Sequence, residues 1–130
     1  MADIVSGSNP QARPPLPTLE ELASMQREFV RERGWDQYHS LKNLAIALSV
    51  ESSELLQLFE WTNDSSASLD RNQTDDLAAE AADVLLFLLS ICEAANIDLI
   101  AAAIGKLEVN RQRWPIGSNE GGWVSRRRRR

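Results

Sequence analysis

Between Leu77 and Cys92 the chain offers only three polar side chains, Glu80, Asp83 and Ser90. A helix that is apolar nearly all round belongs in the interior of a domain, so Glu80 and Asp83, one turn apart, cannot both reach bulk water easily. An earlier segment repeats the pattern. Leu41, Leu44, Leu48, Leu55 and Leu58 recur at steps of three, four and seven, and Glu51 occupies a core position in that series. Glu54 lies one turn on and faces nearly the same side. Two helices that each carry a carboxylate pair inside an apolar stripe constrain the fold and the chemistry together.

The rest of the chain supplies two more helices. Thr18 and Glu21 form a capping-box signature ahead of a helix whose apolar, inward stripe is Leu22, Met25 and Phe29, and Gly34 stops that helix. The second helix is expected over 41–60, a polar loop over 62–73, and the third helix over 74–95 with Asn96 as a left-handed stop. Asp98 caps a fourth, which ends at Arg113 before Pro115. No segment alternates like a strand. The reading is an all-α four-helix bundle in one domain, 18–115. The proline-rich stretch 1–17 and the arginine-rich stretch 116–130 read as disordered tails.

Charge narrows the partners. The net charge is −5, and the five arginines 126–130 contribute +5, which leaves the remainder of the chain at −10. Such a body repels a nucleic-acid backbone, so nucleic acid is not an expected partner. An anionic substrate needs something cationic in between. No apolar run is long enough for a membrane span, and a lone cysteine gives no support to an oxidising compartment. The cytoplasm is the expected location.

Several ionised carboxylates inside apolar stripes cost several kcal/mol each unless compensated. Arginine or lysine partners, protons or a divalent metal can provide that compensation. Metal suits four hard oxygen donors best, and Mg²⁺ keeps open positions for water and phosphate. A solvated face or a salt-bridge network is the competing reading of either pair taken alone. A di-iron carboxylate bundle needs a Glu-x-x-His from each of two helices, and the only histidine, His39, lies outside both pairs.

Aromatic residues flank the acidic pairs. Trp35, Asp36, Gln37, Tyr38 and His39 follow the first helix, Trp61 ends the second, and Phe87 lies one turn past Asp83. Planar rings near a metal site suit a nucleobase. On the fourth helix Lys106, Asn110 and Arg113 form a polar face opposite Ile100, Ile104 and Leu107, fit to neutralise phosphates.

Taken together, Glu51-x-x-Glu54 followed by Glu80-x-x-Asp83 resembles the metal signature of the MazG-like, all-α nucleoside triphosphate pyrophosphohydrolases. The nearest branch is that of the deoxycytidine triphosphate pyrophosphatases. Segment 35–39, Lys42-Asn43-Leu44, Phe59-Glu60-Trp61, Asp83-Val84-Leu85 and Asn110-Arg111-Gln112-Arg113 ahead of Trp114-Pro115 carry the resemblance over nearly the whole core. It implies a four-helix core assembling into dimers or tetramers, and hydrolysis of a (deoxy)nucleoside triphosphate to the monophosphate and pyrophosphate. It also implies Mg²⁺, or Mn²⁺, on Glu51, Glu54, Glu80 and Asp83, with a base and sugar pocket made by segment 35–39 and Trp61. Gln26 stands where the vertebrate form of the branch has a base-contacting histidine, and Phe87 where it has a tyrosine. Phe87 can stack but donates no hydroxyl hydrogen bond. Glu51 or Glu54 is the expected base for the attacking water. The rival class is a non-enzymatic acidic helical module, an adaptor or antitoxin-like partner, which accounts for the charge but not for paired carboxylates in apolar stripes.

Overall fold

The computed structural model describes residues 15–61 and 68–117. Four helices follow in order, α1 Leu19–Glu32, α2 Leu41–Gln57, α3 Arg71–Ala94 and α4 Leu99–Arg113, with a short 3-10 turn Asp36–Tyr38 between α1 and α2. No strand occurs among the described residues. The expected tails fall almost wholly outside them; the described parts, 15–17 and 116–117, are exposed and non-helical.

Local chemistry sets the helix ends. Thr18 Oγ1 accepts from the Glu21 N–H at 3.2 Å while Glu21 accepts from the Thr18 N–H at 2.7 Å, completing the expected capping box. Ser40 and Asp98 cap α2 and α4 by accepting from the N–H groups of Asn43 and Ala101. Gly34, at φ 65°, ends α1, and Asn96, at φ 52°, ends α3, with the Ile97 N–H returning to the Cys92 carbonyl at 2.8 Å.

Two expected boundaries move. A second capping box, Asp70 with Gln73, starts α3 at Arg71, three residues before the expected Thr74. At the other boundary α2 closes at Gln57, and 58–60 form a turn in place of further helix.

α3 is the central rod. It packs along α2 over most of its length and along α1 less extensively. Among the described residues the buried side chains are Val30 of α1, Leu44 of α2, and Leu89 and Cys92 of α3. The α2 stripe faces inward as expected from Leu44 to Leu58, with Glu51 half-buried among the leucines, whereas Leu41 is exposed. On α1 the inward face is Leu22, Gln26 and Val30, so the expected stripe is displaced: Met25 and Phe29 are exposed. Arg27 on that helix pairs with Glu93 of α3 and ties the two together.

α4 behaves differently. It bends 103° away from α3 at the Asn96 turn and rests only lightly on the other helices. Its first turn walls a groove of about 470 Å³ with Leu19 of α1 and Leu89 and Cys92 of α3. Beyond that turn Ile104, Leu107 and Val109 are exposed. Among the described residues no single helix is long and apolar enough to cross a membrane.

Candidate active site

The antiparallel pairing of α2 and α3 brings the two acidic pairs together. Leu44 lines one pocket with Leu89 and Ser90, while Glu51 lies beside Glu80 and Asp83, so sequence positions rise on one helix as they fall on the other. Carboxylate oxygens of Glu51, Glu54 and Glu80 all lie within 4.8 Å of one another. Asp83, exposed at the edge of the group, is close enough to act electrostatically on Glu51.

Among the described residues no cation pairs with this cluster. The ion pairs among the described residues are Arg27–Glu93, Arg31–Glu28, Arg33–Glu32 and Arg111–Glu108, and none involves these four carboxylates. Glu80 Oε2 is buried and has no hydrogen-bond partner among the described residues. Partial burial pushes the Glu51 carboxyl above the usual carboxylate range. The charges of Glu54 and Asp83, a hydrogen bond with Glu54 and the charge of Glu80 push it further. A salt-bridge network therefore does not account for the paired acids. Three convergent oxygen donors, one of them an orphan, fit a hard divalent cation.

A cavity of about 300 Å³ opens between α1, the 35–39 segment and the α2–α3 pair. It brings together Gln26, Asp36 and His39 over an apolar floor of Val30, Leu44 and Leu89, with Ser90 in its wall. Sequence reasoning noted Ser90 only as a polar interruption. Its position seven residues beyond Asp83, on the same helix face, was the available signal.

The other expected site residues are distributed around this cavity or away from it. Trp35 meets the Phe29 ring edge-on at 5.9 Å, and Phe29 is covered on its face by the Arg33 guanidinium at 3.6 Å. Gln37 donates to the Gly34 carbonyl at 2.8 Å, which braces the turn after α1. The Tyr38 ring is exposed, and its carbonyl accepts from the Asn43 amide. Trp61 is 91% exposed. Phe87 is half-buried on α3, between Asp83 and Ser90 along the helix. On α4 Lys106 is exposed, Asn110 half-buried, and the Arg113 guanidinium lies 5.9 Å from the Trp114 ring. The described contacts do not bring these three α4 residues to the carboxylates of the same chain.

No family model matches the chain. It is, however, 36% identical over 119 residues to dCTP pyrophosphatase 1 of Rattus norvegicus, covering 89% of this chain and 70% of that protein. It is 38% identical over 110 residues to the Mus musculus protein of the same name, covering 82% and 65%, and 36% identical over 104 residues to the Homo sapiens one, covering 78% and 61%. The chain thus spans about two thirds of the length of these relatives. A crystallised pyrophosphatase from Archaeoglobus fulgidus superposes with a TM-score of 0.71 at 37% identity, over 81% of this chain and 99% of that one. The paired carboxylates on antiparallel helices and these likenesses lead to one conclusion: the chain belongs to the dCTP pyrophosphatase family of MazG-like, all-α nucleoside triphosphate pyrophosphohydrolases.

Proposed function

We propose that residues 18–115 form a hydrolase unit that cleaves dCTP or a closely related triphosphate to the monophosphate and pyrophosphate, with Glu51, Glu54, Glu80 and Asp83 holding Mg²⁺ or Mn²⁺. The observation that carries this reading is the convergence of three carboxylates within 4.8 Å, with a buried Glu80 oxygen that no described residue satisfies. When bound, the metal supplies positive charge for the triphosphate oxygens and lowers the pKa of a coordinated water. An adaptor or antitoxin-like module gives no reason to keep an unpartnered carboxylate oxygen inside a bundle.

The chain's own residues divide the remaining work. Glu51, whose carboxyl is held above the ordinary range, or its neighbour Glu54 takes the proton from the water that attacks the α-phosphorus. Gln26, Asp36 and His39 line the cavity that receives the base, while Trp35, Gln37, Tyr38, Phe87 and Trp61 form the rim around base and sugar. Anchoring the base fixes the α-phosphorus for in-line departure of pyrophosphate. Lys106, Asn110 and Arg113 steady that leaving group.

Because α4 turns away from its own bundle with an exposed apolar face, the working form in this reading is a homodimer or homotetramer in which a second copy covers α4. The cellular role is upkeep of the nucleotide pool in the cytoplasm. The test is product identity. Full-length protein with Mg²⁺ and dCTP releases pyrophosphate, and Glu51→Gln loses turnover with its helicity retained. Release of orthophosphate alone, or full activity in E51Q, overturns the assignment.

A further inference from the structure

Ser90 interrupts an otherwise apolar run of α3, Val84 to Cys92, and its side chain lines the 300 Å³ cavity with Gln26, Asp36 and His39. It also stands on the face that carries the carboxylates. Glu80, Asp83, Phe87 and Ser90 fall within about 80° of helical rotation. Ser90 lies seven residues beyond Asp83 on α3, and Leu44, across from it, lies seven residues before Glu51 on α2. The cavity therefore sits about 10 Å from the acidic cluster along both helices. That separation matches the reach from the first phosphate of a nucleotide to the far edge of its base.

The hydroxyl is already oriented. Ser90 Oγ donates its proton to the Leu86 carbonyl at 3.0 Å. Ser52 and Ser53 make the same backward bond on α2 but are exposed, so the bond alone carries no meaning. At Ser90 the bond leaves only oxygen lone pairs to offer into a half-closed cavity. Asp36 adds a second acceptor to the same cavity, whose lining also holds the Arg27–Glu93 ion pair and Arg31. Gln26 and Arg31 can donate elsewhere in the lining, so the choice between an amino and a keto group falls to the position in front of Ser90, where an amino group finds an acceptor. A keto oxygen at that position faces the Ser90 lone pairs, or forces Ser90 to give up its bond to Leu86.

The geometry points to Ser90 as a specificity-determining residue whose oxygen accepts from the exocyclic amino group of the base, so that cytosine is taken in preference to uracil. This rests on the hydrolase reading and adds to it the group that distinguishes two substrates differing at that edge. The experiment compares kcat/KM for dCTP and dUTP, by pyrophosphate release with Mg²⁺, in the full chain and in Ser90→Ala. The wild type is expected to prefer dCTP. Ser90→Ala is expected to lose roughly three- to tenfold on dCTP, chiefly through KM, with dUTP unchanged or improved. An equal loss on both substrates, or an unaltered preference, overturns the role of Ser90 while leaving the hydrolase reading intact. A wild type that releases pyrophosphate from neither substrate overturns both.

Discussion

Glu51 and Glu54 stand one turn apart on α2 with carboxylate oxygens within 4.8 Å of each other, a spacing at which each negative charge opposes the other. The neighbouring charges of Asp83 and Glu80 work in the same direction, so the metal-free site holds a proton more tightly than an unfolded chain does.

This sets a pH dependence with a definite sign. The folded Glu51 pKa is raised, so its contribution to stability is full below the ordinary carboxylate range and is lost as pH rises through the raised value. Without divalent cations, the melting temperature is expected to decline over that interval, and Glu51→Gln is expected to flatten the decline. Thermal melts in EDTA across a pH series measure it. A wild-type curve that rises through the same interval contradicts the shift.

Glu80→Gln removes the buried charge and keeps the shape. Metal-free protein is expected to be at least as stable as wild type, since the variant no longer sets a third negative charge against Glu51 and Glu54 at a partly buried position. Added Mg²⁺ is expected to stabilise the wild type and not the variant. Turnover is expected to fall on the order of 100-fold. Paired melts with and without Mg²⁺, followed by a pyrophosphate assay, separate the effects.

Leu44 is 2% exposed at the crossing of α1, α2 and α3. Leu44→Ala is expected to cost roughly 2–5 kcal/mol of folding stability, a large share for a chain with so few buried side chains. Chemical denaturation followed by circular dichroism reports it directly.

Trp61 makes the opposite case. Because it is exposed, Trp61→Ala is expected to change stability by less than about 0.5 kcal/mol. If its ring stacks on the base, KM for dCTP rises by a factor corresponding to roughly 1–3 kcal/mol, with kcat little altered. A KM equal to that of the wild type removes Trp61 from the base pocket.

The exposed row Ile100, Ile104 and Leu107 on α4 is expected to be the seam with a second copy. Ile104→Asp is expected to shift the protein to a smaller species in analytical ultracentrifugation with helix content maintained. An unchanged sedimentation coefficient places the seam elsewhere.

What could be read from the sequence follows from what each residue reports. The α2 leucines and Glu51 were legible because one partner, α3, covers a single stripe with helical spacing. α1 was misread at Met25 and Phe29 because its apolar residues lie on more than one face; Phe29 serves Trp35 and Arg33, while Gln26 and Val30 face inward. The start of α3 was missed because its first turn, Arg71 to Thr74, is polar and gives no periodic signal; only the Asp70–Gln73 box marks it. The carboxylate cluster was legible as misplaced charge. The cavity was not, because Gln26, Asp36, His39 and Ser90 meet only through tertiary packing.

The charge of the α2–α3 layer has one further consequence. From Asn43 to Gln57 and from Asn72 to Ala94 these helices contain no lysine or arginine, so the field in front of the cluster is negative and unrelieved from within. Diffusing molecules are sorted before they touch: a bare polyanion is turned back, while one that arrives already neutralised by counter-ions is admitted. Ionic strength then governs the rate of encounter separately from the rate of bond cleavage.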